Sequence, residues 1–205
     1  MDAGADREAV ARPTAEGYEA LLRAVPRVVG RSGFRGLTYR AVGREAGLTS
    51  GLISYYFKTR EKLISEAAAL AVSEAIAQSS LVPVSGRIDD FASDTAVVVQ
   101  RDADRQAFQY ELVFEARRNP SLLPYLQAQY EVYFQAVETA LEEFDISPDP
   151  GLTRLVFAAL DGLVLQQLIF DRPAETVQSI EALRYLLKSQ REPSTAGQQS
   201  GAAHG

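Results

Sequence analysis

The chain of 205 residues has no cysteine, which excludes disulfides, thiol nucleophiles and sulfur-ligated metals. Its one histidine, His204, lies in a Ser/Gly/Ala tail, so neither a histidine general base nor a zinc site is expected. No nucleophile–base pair or metal-ligand cluster is visible, and the acidic residues are scattered over helix faces. The spaced glycines Gly30, Gly33 and Gly36 follow no strand and precede no Gly-Lys-Ser/Thr, so they read as a helix stop and turn rather than a phosphate loop. Catalysis, cofactors and metals are therefore not expected. Met1 to Arg12 is polar and charged, unlike a signal peptide. The longest apolar stretch, Leu155 to Leu165, is interrupted by Asp161 and too short to span a bilayer. A soluble, cytoplasmic protein with no membrane partner is expected. No segment sustains the period-two alternation of a strand; Val97-Val98-Val99 is the best candidate and stands isolated. The chain is expected to be all-α.

What is present is concentrated between Leu37 and Leu63, LTYRAVGREAGLTSGLISYYFKTREKL. Thr38 is a good N-cap for a helix from Tyr39 to Ala46, and Gly47 supplies the left-handed residue that ends it. Thr49 caps a second short helix ending near Phe57, and Thr59 caps a third with Glu61 in its first turn. Helices joined across so short a turn cross steeply, the geometry that rests one on a DNA backbone and sends the next into the major groove. The whole chain is acidic, with net charge -6 and pI near 5.0, which argues against nucleic acid. From Arg23 to Lys62, however, nine cations (Arg23, Arg27, Arg31, Arg35, Arg40, Arg44, Lys58, Arg60, Lys62) face two anions, Glu45 and Glu61. Residues 63–205 hold 10 cations and 20 anions. With a Debye length of ~8 Å in physiological salt, the local surface counts for more than the total. The competing reading is an ordinary solvated helix surface.

Along the chain, residues 1–15 are expected to be flexible. Tyr18, Leu21, Leu22, Val25, Val28 and Val29 recur at helical spacing in a first helix that stops near Gly33, with a kink expected at Pro26. After the helix-turn-helix, Leu63, Ala67, Leu70 and Ala71 continue a helix to about Ser79, and Pro83 breaks the chain. Ile88 or Asp89 opens a helical stretch to about Arg101, and Asp102 or Asp104 caps another to Arg118. Leu122 to Phe144 is a long aromatic-rich helix. Asp149-Pro150 opens a very apolar helix to about Phe170, and Pro173 a last one to about Gln190. The expected organisation is about nine helices: a DNA-binding domain over 16–62, a regulatory domain over 63–190 and a flexible tail over 191–205.

Tyr18 to Leu70 resembles the N-terminal domain of the TetR (tetracycline-repressor-like) family of bacterial transcription regulators. The residues that carry the resemblance are Gly33-Phe34, Leu37-Thr38, Val42 to Ala46, Gly47-Leu48-Thr49, Gly51-Leu52-Ile53, Tyr55-Tyr56-Phe57 and Glu61-Lys62-Leu63. Ser54 stands where a tyrosine is frequent, and Arg60 where a lysine is usual. The resemblance implies that Thr49 to Phe57 is the recognition helix, with Thr49, Ser50, Gly51 and Ser54 letting it sit deep in the groove. It implies that Tyr55 and Tyr56 reach phosphate or a thymine methyl, and that Arg40 reaches a guanine edge. Thr38, Tyr39, Lys58 and Arg60 are then backbone clamps; the alternative for Tyr56 is packing, the role assigned to Phe57, Leu48, Ile53 and Leu63.

The resemblance further implies a dimeric, ligand-binding second half, with a homodimer through the last two helices, about 150–190. The function implied is a repressor released from a near-palindromic double-stranded DNA operator by a small-molecule effector; activation with the same fold is the alternative, and a helical small-molecule-binding or interaction module the non-DNA alternative. For the effector, Tyr110, Phe114, Tyr130, Tyr133 and Phe134 form an aromatic cluster, and Gln109, Glu111, Arg117 and Gln166 are candidate polar anchors. The acidic second half suits a neutral or cationic effector, whereas Arg117-Arg118 suits a carboxylate. Asp161, mid-helix, would need a partner if buried, most simply an ion pair or interface hydrogen bond.

Overall fold

The structure, a computed structural model, describes residues 14–191. Of the flexible ends expected at 1–15 and 191–205, only Thr14, Ala15 and Arg191 fall inside that range; the rest, His204 included, lie outside the described residues. Nine α-helices and two 3₁₀ turns, with no strand, are found among the described residues. They are α1 (Ala15–Gly36), α2 (Tyr39–Ala46), α3 (Ser50–Tyr56), α4 (Arg60–Ala77), α5 (Thr95–Arg101), α6 (Ala103–Arg118), α7 (Leu123–Glu143), α8 (Pro150–Phe170) and α9 (Pro173–Lys188).

Local chemistry accounts for most helix ends. The hydroxyls of Thr14, Thr38 and Thr59 accept from the N–H groups of Gly17, Ala41 and Lys62, satisfying donors that a helix start leaves unpaired. Thr49 occupies the cap position of α3 but makes no such bond. Within α1 only Gly33 (φ +62°) leaves helical dihedrals, so the helix breaks where the glycine predicts; the chain runs through the buried Pro26 without a non-helical residue. The α2–α3 turn is a Schellman motif: Leu48 N–H bonds to the Gly43 carbonyl at 2.8 Å and Gly47 N–H to that of Arg44 at 3.3 Å, with Gly47 left-handed at φ +68°. The turn folds so closely back onto α2 that a Cβ on Gly43 would lie 2.7 Å from the Leu48 carbonyl oxygen.

The chain divides into two compact units. The first holds residues up to Gln78 and Val98–Tyr133. Its core joins Leu21, Val25 and Val29 of α1 to Val42, Ile53, Phe57, Leu63 and Ile64, and also to Phe108 and Leu112 of α6 and Leu122. Fully burying a side chain of this size contributes roughly 1.5–3 kcal/mol, so the helix-turn-helix depends on α6 as well as on its own three helices. The second unit holds Ser79–Val97 and residues from Phe134 onward, around Phe91, Leu141, Phe144, Val156, Ile180 and Leu187.

The helical stretch expected from residue 88 to Arg101 is interrupted. A 3₁₀ turn covers Ile88–Asp90, Ala92 is left-handed (φ +54°), and α5 starts only at Thr95. Tertiary bonds override local propensity here: the Asp94 carboxylate accepts from the Ser80 N–H and hydroxyl, and Arg184 donates to the Phe91 carbonyl at 2.8 Å. Lys188 bonds Asp89, holding its carboxyl below the ordinary value and tying the end of α9 to the same turn.

Helix α8 begins as expected, with Asp149 accepting from Gly151 and Leu152 N–H. One stripe, Thr153, Val156, Leu160 and Gln167, is buried, and the Thr176 hydroxyl of α9 donates to Gln167 at 2.8 Å. Helix α8 is 21 residues long and holds an 18-residue window of mean hydropathy 1.4, so by length and composition it could cross a membrane, although the apolar stretch Leu155 to Leu165 within it is too short to do so. A second stripe, Leu155, Ala158, Gly162, Leu165 and Ile169, recurs at alternating three- and four-residue steps and is largely uncovered, Leu155 being 67% exposed. Asp161 is half-buried beside it.

Gly43→Ala is expected to destabilise the chain by ~1–3 kcal/mol through overpacking against the turn. Gly51→Ala, whose Cβ meets nothing closer than 4.0 Å, should hold or gain stability. Urea unfolding of the two variants checks the contrast.

Candidate nucleic-acid interface

Helix α3, at seven residues, is too short to persist alone, and burial of Leu52 and Ile53 holds it against the first core. That anchoring turns its other face outward. Thr49, Ser50, Gly51, Ser54 and Tyr55 are exposed, as are Thr38, Arg40 and Lys58; Tyr39, Tyr56 and Arg60 are half-buried. The expected DNA-facing residues are therefore all exposed or half-buried, with two qualifications. The Tyr56 hydroxyl donates to the Thr14 carbonyl at 2.7 Å and its ring meets Tyr18 edge-on, so this side chain fastens α3 to the start of α1. Arg60 donates to the Phe34 carbonyl at 2.8 Å and lies over the Phe34 ring, so its guanidinium also closes the end of α1. Tyr55, 68% exposed, meets Tyr56 edge-on and leaves most of its ring to solvent.

The cationic surface is smaller than the sequence count suggests. Arg23 pairs with Glu19 and Glu74, Arg27 with Glu45, and Arg31 with Glu45 and Asp104. Bonding to Glu74 holds the Arg23 guanidinium charged above its ordinary range. Lys62 lies 3.6 Å from Glu66. Arg35, Arg40, Arg44 and Lys58 are exposed and meet no carboxylate among the described residues. Arg35 and Arg44 were not among the expected contacts; for Arg44 the signal was its place one helical turn beyond Arg40.

The expected effector residues do not form one group. The Gln109 amide meets the Tyr133 hydroxyl at 3.0 Å, joining α6 to α7 within the first unit, where Tyr110 and Tyr130 are half-buried. Glu111 falls on another face of α6, 3.8 Å from where a Gly33 Cβ would stand, in a 490 Å³ groove with Arg35, Glu115 and Arg118. Phe114 and Arg117 are exposed. In the second unit Phe134 packs edge-on against Phe157 and under Arg154, and Gln166 is exposed. Two further residues emerge. Glu66 Oε2 and Gln129 Nε2 are buried without a hydrogen-bond partner among the described residues, and burial pushes the Glu66 carboxyl up. A buried group left unpaired costs about 1–3 kcal/mol. For Gln129 the signal was a polar residue on the same face of α7 as Leu126 and Tyr133.

Residues 16–67 match the family described as bacterial regulatory proteins, tetR family, and residues 86–189 match the tetracyclin repressor-like C-terminal domain. Among solved structures, a TetR-family regulator from Rhodococcus sp. superposes with a TM-score of 0.71 at 21% identity, over 87% of this chain and 100% of that one. A TetR-family member from Streptomyces coelicolor A3 gives 0.63 at 27%, over 87% and 99%. The multidrug binding protein EbrR, complexed with ethidium, gives 0.60 at 27%, over 85% and 99%. No curated protein matches the chain.

Arg44→Ala is expected to flatten the slope of log affinity against log salt by about one per subunit. Arg23→Ala should leave that slope unchanged, because its charge is already taken up by Glu19 and Glu74. Fluorescence anisotropy with duplex DNA over a salt series measures both.

Proposed function

The chain belongs to the TetR family of bacterial regulatory proteins, and from that premise we propose that it is a homodimeric repressor released from a near-palindromic operator by a small molecule. The observation that carries this reading is the exposed face of α2 and α3, where Arg40, Ser50, Ser54 and Tyr55 stand beside unpaired cations while the opposite face is buried. A recognition helix needs that separation: small residues for depth, a fork-shaped donor for a guanine edge, and charge for the flanking phosphates. It acts in the cytoplasm, where its operator lies. The division of work is a DNA-binding domain over 16–62 and a regulatory domain over 63–190.

A second copy of the chain accounts for the uncovered stripe of α8. Leu155, Leu165 and Ile169, with Val177 and Tyr185 of α9, are exposed apolar residues at spacings that pair helices into a bundle. The buried Gln167–Thr176 bond supports α8 as a bundle helix rather than a membrane span, since both partners are polar. For the effector, the proposed class is a flat aromatic molecule, neutral or cationic. EbrR is described in complex with ethidium and with proflavin. Here Tyr110, Tyr130 and Tyr133 offer stacking surface, Glu66 and Gln129 offer unpaired polar atoms, and Arg118 is already engaged by Glu115.

Selection of bound fragments from random duplex DNA tests the reading and returns the operator. Arg40→Ala should then cost ~1–3 kcal/mol on the selected fragment and relax its sequence preference. Equal loss on selected and random DNA would remove Arg40 as a base reader. Leu165→Glu should convert the dimer to a monomer in sedimentation; an unchanged mass, or association only with lipid vesicles, would sink the dimer assignment.

A further inference from the structure

Where α6 crosses α1 the two backbones nearly touch. A Cβ on Gly30 would lie 2.6 Å from the Asp104 carbonyl oxygen and 2.8 Å from its Cα, so glycine alone lets the first turn of α6 rest there. The adjacent Arg31 divides its guanidinium between two helices: Nε donates to Asp104 Oδ2 at 2.8 Å, and Nη1 reaches Glu45 Oε2 at 3.4 Å. Glu45 belongs to α2, and its other oxygen accepts from Arg27 Nε at 2.7 Å. Asp104 is thereby linked to the first helix of the helix-turn-helix through a single side chain, all within the first compact unit. Glu45, an acid inside a cationic segment, is held by both Arg27 and Arg31.

We propose that the Asp104–Arg31–Glu45 chain of ion pairs, pivoting on the Gly30–Asp104 contact, carries the position of α6 to α2 and so sets the pose of the DNA-reading helices. Helix α6 is also the helix whose Gln109 bonds Tyr133, so a ligand that engages that pair moves the same rigid rod whose first turn carries Asp104. Half-exposed ion pairs are weak individually, which suits a link that ligand binding must undo: its rupture changes an equilibrium by about two- to five-fold, at the lower edge of typical coupling between sites. Arg31 is a positioning residue in this scheme and needs no contact with DNA. The proposal rests on the reading that α2 and α3 bind DNA and that the effector engages α6, but hydrogen exchange reads the link without an identified effector or operator.

The experiment is hydrogen exchange on the full-length protein, read at the amides of α2 and α9, with thermal midpoints measured alongside. Asp104→Asn should speed exchange in Tyr39–Ala46 by about two- to five-fold, leave α9 and the midpoint unchanged, and weaken binding to a selected DNA fragment by a similar factor. Asp104→Glu should keep the wild-type values. In an Arg31→Ala background, Asp104→Asn should add nothing. Unchanged exchange in α2, an equal added effect without Arg31, or a uniform rise from α1 to α9 with a lowered midpoint would each overturn the proposal. If selection returns no DNA fragment, the DNA reading fails while the exchange of α2 still decides the link.

Discussion

Close backbone approach at two glycines is the constraint on which the first unit depends. At Gly43 the chain of α2 runs against the turn that follows it, and at Gly30 the chain of α1 runs against the start of α6. The first sets the angle between α2 and α3; the second sets where α6 lies on the helix that also supports α2 and α4. Packed elements of this kind do not deform continuously, because interiors are as dense as organic crystals. A shift of α6 must therefore be taken up as a movement of whole helices over α1. Side chains then decide which movements are resisted, and Arg31 stands where α1, α2 and α6 meet.

The electrostatics follow from that arrangement. Counting charges from Arg23 to Lys62 identifies a cationic segment, but partners distant in sequence decide which charges reach solvent unopposed. Arg23 is answered by Glu74 and Arg31 by Asp104, neither of which a local window contains. The cations left exposed without a carboxylate among the described residues are Arg40 and Arg44 of α2, Arg35 at the end of α1 and Lys58 after α3. In a protein acidic in sum these cations still act locally, since at physiological salt a charge more than ~8 Å away is largely screened.

The sequence made the helix-turn-helix legible because its helix ends are set locally, by the caps at Thr38 and Thr59 and the left-handed Gly47; the reach of its core to Phe108 and Leu112 is not local and was not legible. The overall all-helical class was legible for the same reason. What was not legible depended on phase and distance. Gln109 and Glu111 look like neighbours in sequence, yet at 100° per residue they point to different faces, one toward Tyr133 and the other toward Gly33. The interruption between Ile88 and Thr95 came from Asp94 closing on Ser80 and from Arg184 binding the Phe91 carbonyl, bonds that no propensity scale registers. Tyr56 and Arg60 carried the chemistry of phosphate contacts and were drawn partly inward by Thr14 and Phe34.

Helix α8 shows how one segment can satisfy two environments. A helix with a single apolar stripe packs against one neighbour; α8 has a stripe that enters the second core and another that remains uncovered. The uncovered stripe runs at heptad-like steps through Gly162, where no side chain stands between the helix backbone and an incoming surface. Polar groups discriminate between possible coverings. Gln167 is buried and paired with Thr176, and Asp161 sits half-buried beside the apolar face. Of the two, only Asp161 borders the uncovered stripe, and hydrocarbon there would penalise its carboxylate, whereas a helical partner would offer apolar contact along the stripe and leave water and polar atoms at its edges. The same composition that lets α8 pass for a membrane span is therefore what a helix needs when it must serve one fold on its inner side and a second surface on its outer side.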